Sequence, residues 1–433
     1  TELRVISRLS AFRLRGEQED PMEVGRRLKV GRMLSGQLDR QGDDLVVHAS
    51  LVDTKDGREL WGDRFVRPIS DILALENEIA TDIFEELRLE LPAQAQKSAD
   101  SVHPSAYRHY LQGRFLSHGS TAEEIDVGLD HLREATRLEP SFALAYAAIA
   151  DALIVKAFFS TSPPREIVGE ARTAAQSAIA LDSDLAEAHA ALASICMFFD
   201  FDWEQSENSF RNAIALAPAT SVAYYRYANL LTGLGRFDEA ILMAERAVDI
   251  DPIAVGALHA DGLARLFSGD FEGAVVTIDN VIEVYPDWAW GYVKKGLAHA
   301  LLNQRAEALV LAKKTEELTG GWGSAFLQGW LAWLYKVVGE QDELERIRVR
   351  IERGIDEGQV EDPFGVAVVY LAMGDTPKAL DWIERTIEER SPNSMFWAVG
   401  TSPYLKLAPE NFQEHPRFAE LLQEIGLELQ DSS

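Results

Sequence analysis

Cysteine is almost absent from this chain, which has 433 residues and a single cysteine, Cys196. One cysteine cannot form an internal disulfide, so non-covalent contacts must hold the fold together. This composition is typical of a reducing compartment, although a cysteine-poor periplasmic protein would look the same. Long apolar runs are also lacking, and none approaches the roughly 18 residues that a membrane-spanning helix needs. We therefore expect no membrane insertion.

Positive charge is scarce, because 42 Lys and Arg face 70 Asp and Glu, which gives a formal net charge of −28. Residues 1–68 hold 13 basic and 12 acidic side chains, whereas the remainder holds 29 and 58. Such an acidic surface repels a phosphate backbone, which argues against nucleic-acid binding by this chain. It favours a protein or peptide partner with a basic or amphipathic segment. A homo-oligomer is compatible with the sequence, although the acidic surface weighs mildly against it.

A repeat is the main feature that the chain does contain. "GRFDEAILMAERAVDIDP" from Gly235 and "GDFEGAVVTIDNVIEVYP" from Gly269 carry Gly, Phe, Ala and Pro at the same offsets, 34 residues apart. In each copy a glycine turn precedes a helix that starts on acidic residues, and a proline closes the unit. One such helical hairpin cannot bury its own apolar face, so hairpins must stack on one another. The period predicts a mostly α fold of stacked helical hairpins.

The small residues of this repeat carry a family resemblance. The pattern of Ala228, Ala240, Ala247 and Pro252 resembles the tetratricopeptide repeat. The resemblance covers residues 104–390 and implies a right-handed α-solenoid of about eight helical hairpins. The unit that contains the insertion "STSPPRE" and the unit around "LYKVVGE" depart most from the pattern.

The first hundred residues follow a different pattern. Residues 3–8 alternate as in a strand, and "DPMEVGRRLKV" predicts a helix with Asp20 as its N-cap. Three strand-like runs follow, "GRMLSGQLDR", "LVVHASLVD" and "RELWGDRFV", joined by turns at Gln41–Asp44 and at "TKDG". A long helix is predicted from Ser70 to about Glu90. This segment is therefore expected to be a small α/β unit.

The order of these pieces, with "VGRRLKV" and "DI-A-ENEIA", resembles the TolB-type amino-terminal domain found ahead of tetratricopeptide repeats in bacterial signalling proteins. In that family the domain opens with a strand and a helix that are missing here, so we expect a fragment of a longer protein. The resemblance implies attachment to a class III adenylate cyclase, a winged-helix DNA-binding domain or a protein kinase domain. We expect an incomplete TolB-like domain at 1–100, the repeat array at 104–392 and a capping segment at 393–433, where "HPRFAELLQEIGLEL" predicts an amphipathic helix.

Motifs for catalysis are missing as well. The chain has neither a common phosphate-binding glycine loop nor a serine in a nucleophile-elbow pattern. His103, His109 and His118 form the densest histidine group, but their spacings differ from the i, i+4 pair of a helical metal site. Cys196 lies in the apolar run "ASICMFF" and is expected to be a small core residue. We therefore expect no catalytic, cofactor-binding or metal-binding residue, and any catalytic domain would lie upstream of this chain.

Candidate partner-binding residues follow from the resemblance, because the first helix of each tetratricopeptide unit lines a concave surface. Aromatic and arginine side chains on a groove are good anchors for a peptide or a partner helix. The alternative is packing between units, which is the stronger expectation for the tryptophans. The aromatic and arginine side chains of the first unit fit a contact between the two domains equally well. The first-helix positions that face the concave surface in tetratricopeptide proteins, which we call the repeat convention, correspond here to Tyr107, Tyr110, Arg114, Tyr225, Asn229, His259, Leu263, Trp290, Val293, Phe326 and Trp333.

These features favour a regulatory and protein-interaction region of a bacterial multidomain signalling protein. The resemblance makes the non-catalytic part of a cytoplasmic adenylate cyclase the first interpretation. The alternative is the input region of a winged-helix transcription regulator or of a protein kinase. In the case of a transcription regulator, a membrane helix upstream could place this region in the periplasm. An enzyme within the chain itself is disfavoured by the lack of motifs.

Overall fold

The structure is a computed structural model, and within the residues that it describes the chain is mostly helical, with one small sheet near the amino terminus. The predicted strand at 3–8 and most of the predicted helix between residues 70 and 90 fall outside the described residues. Apart from a few isolated positions, the described residues are 20–68, 102–117, 122–158, 167–321, 324–358, 362–394 and 412–427.

A helix and a three-stranded antiparallel sheet come first, as the sequence predicted. Helix α1 (Pro21–Leu28) begins after its N-cap Asp20, whose side chain accepts a hydrogen bond from the Met22 N–H at 3.0 Å. The sheet pairs its strands in chain order, and the turn between the first two contains Gly42 with a φ of 68°. The strands are β1 (Arg32–Gln41), β2 (Asp44–Asp53) and β3 (Glu59–Pro68).

One face of the sheet is buried along β2 and β3. Leu45 and Ala49 of β2 pack there with Phe65 of β3 and with Leu75. Because side chains alternate along a strand, these residues share a face at a spacing of two. The edge strand β1 contributes little to this core, since Leu38 remains 60% exposed.

Eight helical hairpins follow the sheet, in agreement with the repeat pattern, and we number them units 1 to 8. Each hairpin consists of a first helix, a short connection and a second helix. In chain order the pairs are α2 (Pro104–Leu116) and α3 (Ala122–Leu138), α4 (Ala143–Ala157) and α5 (Val168–Leu181), α6 (Ala186–Ile195) and α7 (Trp203–Leu216), α8 (Ser221–Gly233) and α9 (Phe237–Ile250), α10 (Val255–Ser268) and α11 (Phe271–Val284), α12 (Ala289–Leu301) and α13 (Arg305–Leu318), α14 (Ala325–Val338) and α15 (Gln341–Asp356), and α16 (Pro363–Met373) and α17 (Thr376–Glu388).

The small residues of the repeat lie where helices meet. Four of these residues have no exposed surface: Ala240, Ala247, Ala274 and Val281. A larger side chain at any of these positions would push the packed helices apart. The turn between α10 and α11 places Gly269 at a φ of 92°, a left-handed conformation that favours glycine. The sequence markers of the period are therefore the packing residues of the array.

Two first helices of the array touch through their backbones. A Cβ added to Gly365 of α16 would lie 2.1 Å from the carbonyl oxygen of Ala325 in α14. Gly329 faces the same contact, because its added Cβ would lie 2.9 Å from the Gly365 carbonyl oxygen. Only residues without a side chain allow helices to approach this closely.

The lone cysteine lies in a short π-helical segment that follows α6 (Cys196–Asp200). Cys196 has no exposed surface, and its burial raises the pKa of the thiol to about 12. Because the thiolate is the reactive form, this thiol is inert near neutral pH. The prediction of a small core residue is confirmed.

A final helix, α18 (Pro416–Glu424), packs against α17 of unit 8. Its Arg417 pairs with Asp381 at 2.7 Å and with Glu384 at 2.5 Å, both on α17. Phe418 is fully buried in the core of the carboxyl-terminal units.

The carboxyl-terminal end of the array also contacts unit 3. The indole Nε1 of Trp203 in α7 donates a hydrogen bond to the carbonyl oxygen of Ile425 at 2.8 Å. Arg390, just after α17, donates from Nη1 to the carbonyl oxygen of Phe199 at 2.6 Å. The array is therefore curved enough for its last unit to meet its third.

The amino-terminal helix contacts the middle of the array. Val24 and Leu28 of α1 pack against Ile253, which lies in the connection between α9 and α10. Ser10 Oγ donates a hydrogen bond to Asp251 Oδ2 at 2.7 Å in the same connection. The α/β unit thus rests on the junction between units 4 and 5.

Candidate partner-binding surface

The predicted partner-binding residues lie on the first helices of units 1, 4, 5, 6 and 7, where the repeat convention put them. They are Tyr107, Tyr110 and Arg114 on α2, Tyr225 and Asn229 on α8, His259 and Leu263 on α10, Trp290 and Val293 on α12, and Phe326 and Trp333 on α14.

Four of these side chains are buried and do not meet solvent. Tyr110 and Leu263 are 4% exposed, and Val293 and Trp333 are not exposed at all. These four side chains pack between helices in this structure, and not on the expected concave surface, which corrects the expectation for them. For Trp333, packing between units was the expected alternative.

The first unit uses its aromatic residues to hold unit 2. The rings of Tyr107 and Tyr110 lie 5.8 Å apart, and Phe142, at the start of unit 2, lies 5.0 Å from Tyr110. Arg114 donates from Nη1 to the Tyr110 hydroxyl at 2.9 Å. These contacts join the first two units.

Unit 4 presents Tyr225 and Asn229 one helical turn apart. The Tyr225 ring covers Gly256 at the start of α10, where an added Cβ would lie 2.8 Å from the ring. Asn229 is half-buried, and among the described residues no group donates a hydrogen bond to its Oδ1. A buried acceptor without a donor costs about 1–3 kcal/mol.

An ion pair that the sequence did not reveal links units 2 and 4. Arg226 of α8 contacts Asp151 of α4, with Nη2 and Oδ1 2.5 Å apart, and it also reaches Ser194 Oγ of α6 at 3.4 Å. Burial acts to lower the pKa of Arg226, but the Asp151 carboxylate and Tyr225 together outweigh it and raise the pKa above its usual value. The pair therefore ties three first helices together.

Half-buried aromatic side chains continue along units 5 to 7, and we call His259, Trp288, Trp290 and Phe326 the aromatic row. His259 meets Trp288 edge to face at a ring distance of 5.7 Å. Trp290 lies 5.0 Å from Phe326, which in turn contacts the buried Phe364 of unit 8 at 5.6 Å. Each of these four residues is partly exposed, so the row continues across consecutive units.

A buried lysine lies under the aromatic row. Lys294 of α12 is 5% exposed, and its Nζ contacts His259 Nε2. The same Nζ lies 5.6 Å from the ring centroids of Trp288 and Trp290 and 5.3 Å from that of Trp330. Burial lowers the pKa of Lys294 to about 7, and burial together with Lys294 lowers the pKa of His259 well below its usual value.

The spacing of Trp290 and Lys294 in the sequence could have placed this lysine beside the aromatic row, but the repeat convention did not select it. Lys294 follows Trp290 by four residues, so the two share one face of α12. The convention selected Val293 instead, one residue earlier, and that side chain is fully buried.

The described parts of the chain contain neither a helix with the length and apolarity to cross a bilayer nor a group of three side chains placed to hold a metal ion. His109 and His131 approach with their Nδ1 atoms 2.9 Å apart, but they form a pair only. His118 of the predicted histidine group falls outside the described residues.

Comparison with known proteins bears on unit 4 first. Residues 221–253, which contain α8 and α9, match the family model of the tetratricopeptide repeat. A protein of Rhizobium meliloti (strain 1021) named "Putative adenylate cyclase 3" is 28% identical to this chain over 149 residues. That match covers 34% of this chain and 25% of the relative, so it spans about a quarter of the relative's length.

Solved structures with a similar arrangement include a tetratricopeptide repeat protein of Parabacteroides merdae ATCC 43184, which is 16% identical with a TM-score of 0.43. The similarity covers 62% of this chain and 99% of that one. PilF of Pseudomonas aeruginosa is 17% identical with a TM-score of 0.39, covering 52% of this chain and 93% of that one. From the family match and the eight hairpins, this chain contains a tetratricopeptide repeat at residues 221–253, set in an array of helical hairpins.

Proposed function

We propose that the array is a protein-interaction module that binds a peptide segment of a partner along the first helices of units 4 to 7. The aromatic row carries this proposal, because partly exposed aromatic residues on consecutive repeats are the kind of anchor that peptide grooves use. Asn229, which is only partly buried, adds a polar side chain at the unit 4 end. Tyr225 and Arg114 serve mainly to join units in this proposal.

Peptide selection with the full chain tests this function. A displayed library of random peptides is panned on the protein, and recovered peptides are mapped by hydrogen exchange. We expect protection in α8, α10 and α12, with an affinity loss of about tenfold for Asn229→Ala, which removes roughly one hydrogen bond. Asn212→Ala, at an exposed position on the second helix α7, is the matched control and should bind normally.

Protection confined to the second helices, with normal binding by Asn229→Ala, would place the surface elsewhere on the array. Failure to recover any peptide that binds the wild-type chain would overturn the interaction role itself.

We propose further that this module is the non-catalytic part of a larger signalling protein of the adenylate cyclase type. The 149-residue match to the Rhizobium meliloti protein supports this assignment, as does the TolB-like order of the first elements. In this proposal residues 1–100 form the TolB-like domain, 104–392 the array and 393–433 its cap, and the protein is cytoplasmic. A partner would then act on an output domain through the array.

The natural reading frame upstream of residue 1 is the direct test of the larger assignment. A cyclase domain with paired metal-binding aspartates is the expected result. A basic winged-helix domain or a kinase domain would replace the cyclase assignment and would leave the interaction proposal standing.

A further inference from the structure

Lys294 differs from the other buried cations of the array. Arg226 pairs with Asp151, and Arg265 pairs with Asp261 at 3.0 Å. Against Lys294 the described residues place only an imidazole and three indole rings, and no carboxylate forms an ion pair with it. This is unexpected for a buried ammonium in a chain with 70 acidic residues.

Three indole faces stabilise an ammonium only in part. A cation over an aromatic ring within about 6 Å is attracted only modestly, and the rings replace little of the hydration that burial removes. An ammonium has three N–H donors, and His259 Nε2 offers one lone pair. The site therefore retains capacity for an anion that brings further acceptors.

Lys294 is in contact with three residues of the aromatic row. His259, Trp288 and Trp290 are each only partly buried, whereas Lys294 itself keeps 5% of its surface exposed. Trp290 continues to Phe326 at 5.0 Å, which extends the apolar surface towards unit 7. A ligand that reaches Lys294 with a negative group would lay adjacent apolar groups on this surface.

We propose that Lys294 anchors an aspartate or glutamate side chain of a partner peptide, and that an apolar residue beside it packs on Trp290 and Phe326. This inference rests on the proposed peptide-binding function and specifies the chemistry of its partner. It reverses the expectation from net charge, which favoured a basic segment, because the charge at this site is opposite to that of the whole chain.

The protonation state of the site agrees with this proposal. Burial lowers the pKa of Lys294 to about 7, so the free site is substantially charged only up to neutral pH. His259 from α10 is the only other titratable group that the described contacts place against Lys294, and its lowered pKa keeps it neutral there. Trp288, Trp290 and Trp330 are the remaining neighbours and do not titrate. Binding of a carboxylate should therefore weaken as the pH rises from 6 to 9.

Salt provides an independent readout. The chain as a whole repels an acidic peptide, and this long-range repulsion is screened beyond about 8 Å at physiological ionic strength. The contact at buried Lys294 is screened much less. Affinity for an acidic peptide should thus stay constant or rise with added salt, whereas a basic peptide on the acidic surface would lose affinity.

The test pans one displayed heptapeptide library on the full wild-type chain, on Lys294→Met and on Lys295→Met. Lys295 is the matched control, because it neighbours Lys294 but pairs with Asp279. We expect wild type and Lys295→Met to enrich peptides with Asp or Glu next to an aromatic or aliphatic residue. Their affinities should fall at least tenfold on Lys294→Met and on replacement of the acid by its amide.

Peptides that bind wild type and Lys294→Met equally, or that carry no acidic residue, overturn this inference and leave the peptide-binding function intact. Recovery of no peptide from wild type overturns the proposed function and this inference together. Should Lys294→Met fail to fold, the selected peptides are titrated on wild type at pH 6 and pH 9. A tenfold weaker affinity at pH 9 supports the lysine contact, and an unchanged affinity excludes it.

Discussion

The indole Nε1 of Trp203 and the carbonyl oxygen of Ile425 form a hydrogen bond of 2.8 Å across 222 residues of sequence. Trp203 begins the second helix of unit 3, whereas Ile425 follows the last helix of the chain. The bond therefore joins unit 3 to the segment that follows α18. With Arg390 on the Phe199 carbonyl oxygen, it fixes how far the array curves.

Trp203→Phe should loosen this closure. The substitution keeps an aromatic ring but removes the donor, and it leaves a carbonyl oxygen unsatisfied at a cost of about 1–3 kcal/mol. We expect faster hydrogen exchange in α18 and a lower free energy of unfolding, measured by urea titration. Trp382→Phe on α17 is the control, since its ring contacts Arg385 and forms no link to unit 3. Equal exchange in both variants would show that the bond does not hold α18.

Gly365→Ala should destabilise the junction of units 7 and 8. The added Cβ would lie 2.1 Å from the backbone oxygen of Ala325, and a backbone cannot move aside as a flexible side chain can. We expect a loss of about 3 kcal/mol in the free energy of unfolding, measured by urea titration. Gly169→Ala on α5 is the control, because its Cβ would meet no atom within 4 Å and alanine favours the helix. A neutral effect of Gly365→Ala would mean that α14 and α16 separate readily.

Arg226→Met should be costly because it removes the arginine that pairs with the Asp151 carboxylate between helices. Removing one member of a buried ion pair costs several kcal/mol, and for this partly accessible pair we expect up to about 3 kcal/mol in urea unfolding. The double variant with Asp151→Leu should recover much of that loss. Arg133→Met breaks the exposed pair with Glu170 and should cost less than about 1 kcal/mol. If the double variant loses as much unfolding free energy as Arg226→Met alone, the effect comes from packing of the aliphatic part of the Arg226 side chain.

Lys294→Met should change how stability depends on pH. The pKa of Lys294 is about 7 in the folded chain, against about 10.4 for a free lysine. Between these values the unfolded chain holds a proton that the folded chain has released, so the stability of wild type should fall as the pH drops from 10 to 7. The variant lacks this slope and should be the more stable of the two at pH 7. Urea unfolding at pH 7, 8.5 and 10 measures the difference. If the free energy of unfolding depends on pH in the same way in wild type and variant, the pKa of Lys294 is not lowered.

The repeat array was predictable because its determinants are local. Residues such as Ala240 and Ala274 recur at a fixed offset, and their burial follows from the hairpin itself. The strands and turns of the first hundred residues were equally visible, since alternation and glycine at Gly42 specify them directly.

The binding surface was only partly predictable, because each residue along a helix turns the side chain by 100°. Which residue faces the aromatic row depends on how the helix is rotated by its neighbours, and an error of one position exchanges Lys294 for Val293, although both are buried. The Trp203–Ile425 bond was not predictable at all. It results from small angles between units that accumulate along the array, and no single unit encodes their sum.

The packing of α1 against Ile253 has a mechanical consequence. The amino-terminal unit rests near the midpoint of the array, where Ser10 and Asp251 add a polar contact. A domain that contacts the middle of a curved array is displaced when the array bends on either side of the contact. A domain at one end is displaced only by bending of the adjacent units. A partner that changes the curvature of units 4 to 7 would therefore also change the orientation of the amino-terminal unit, because that unit contacts the array at Ile253.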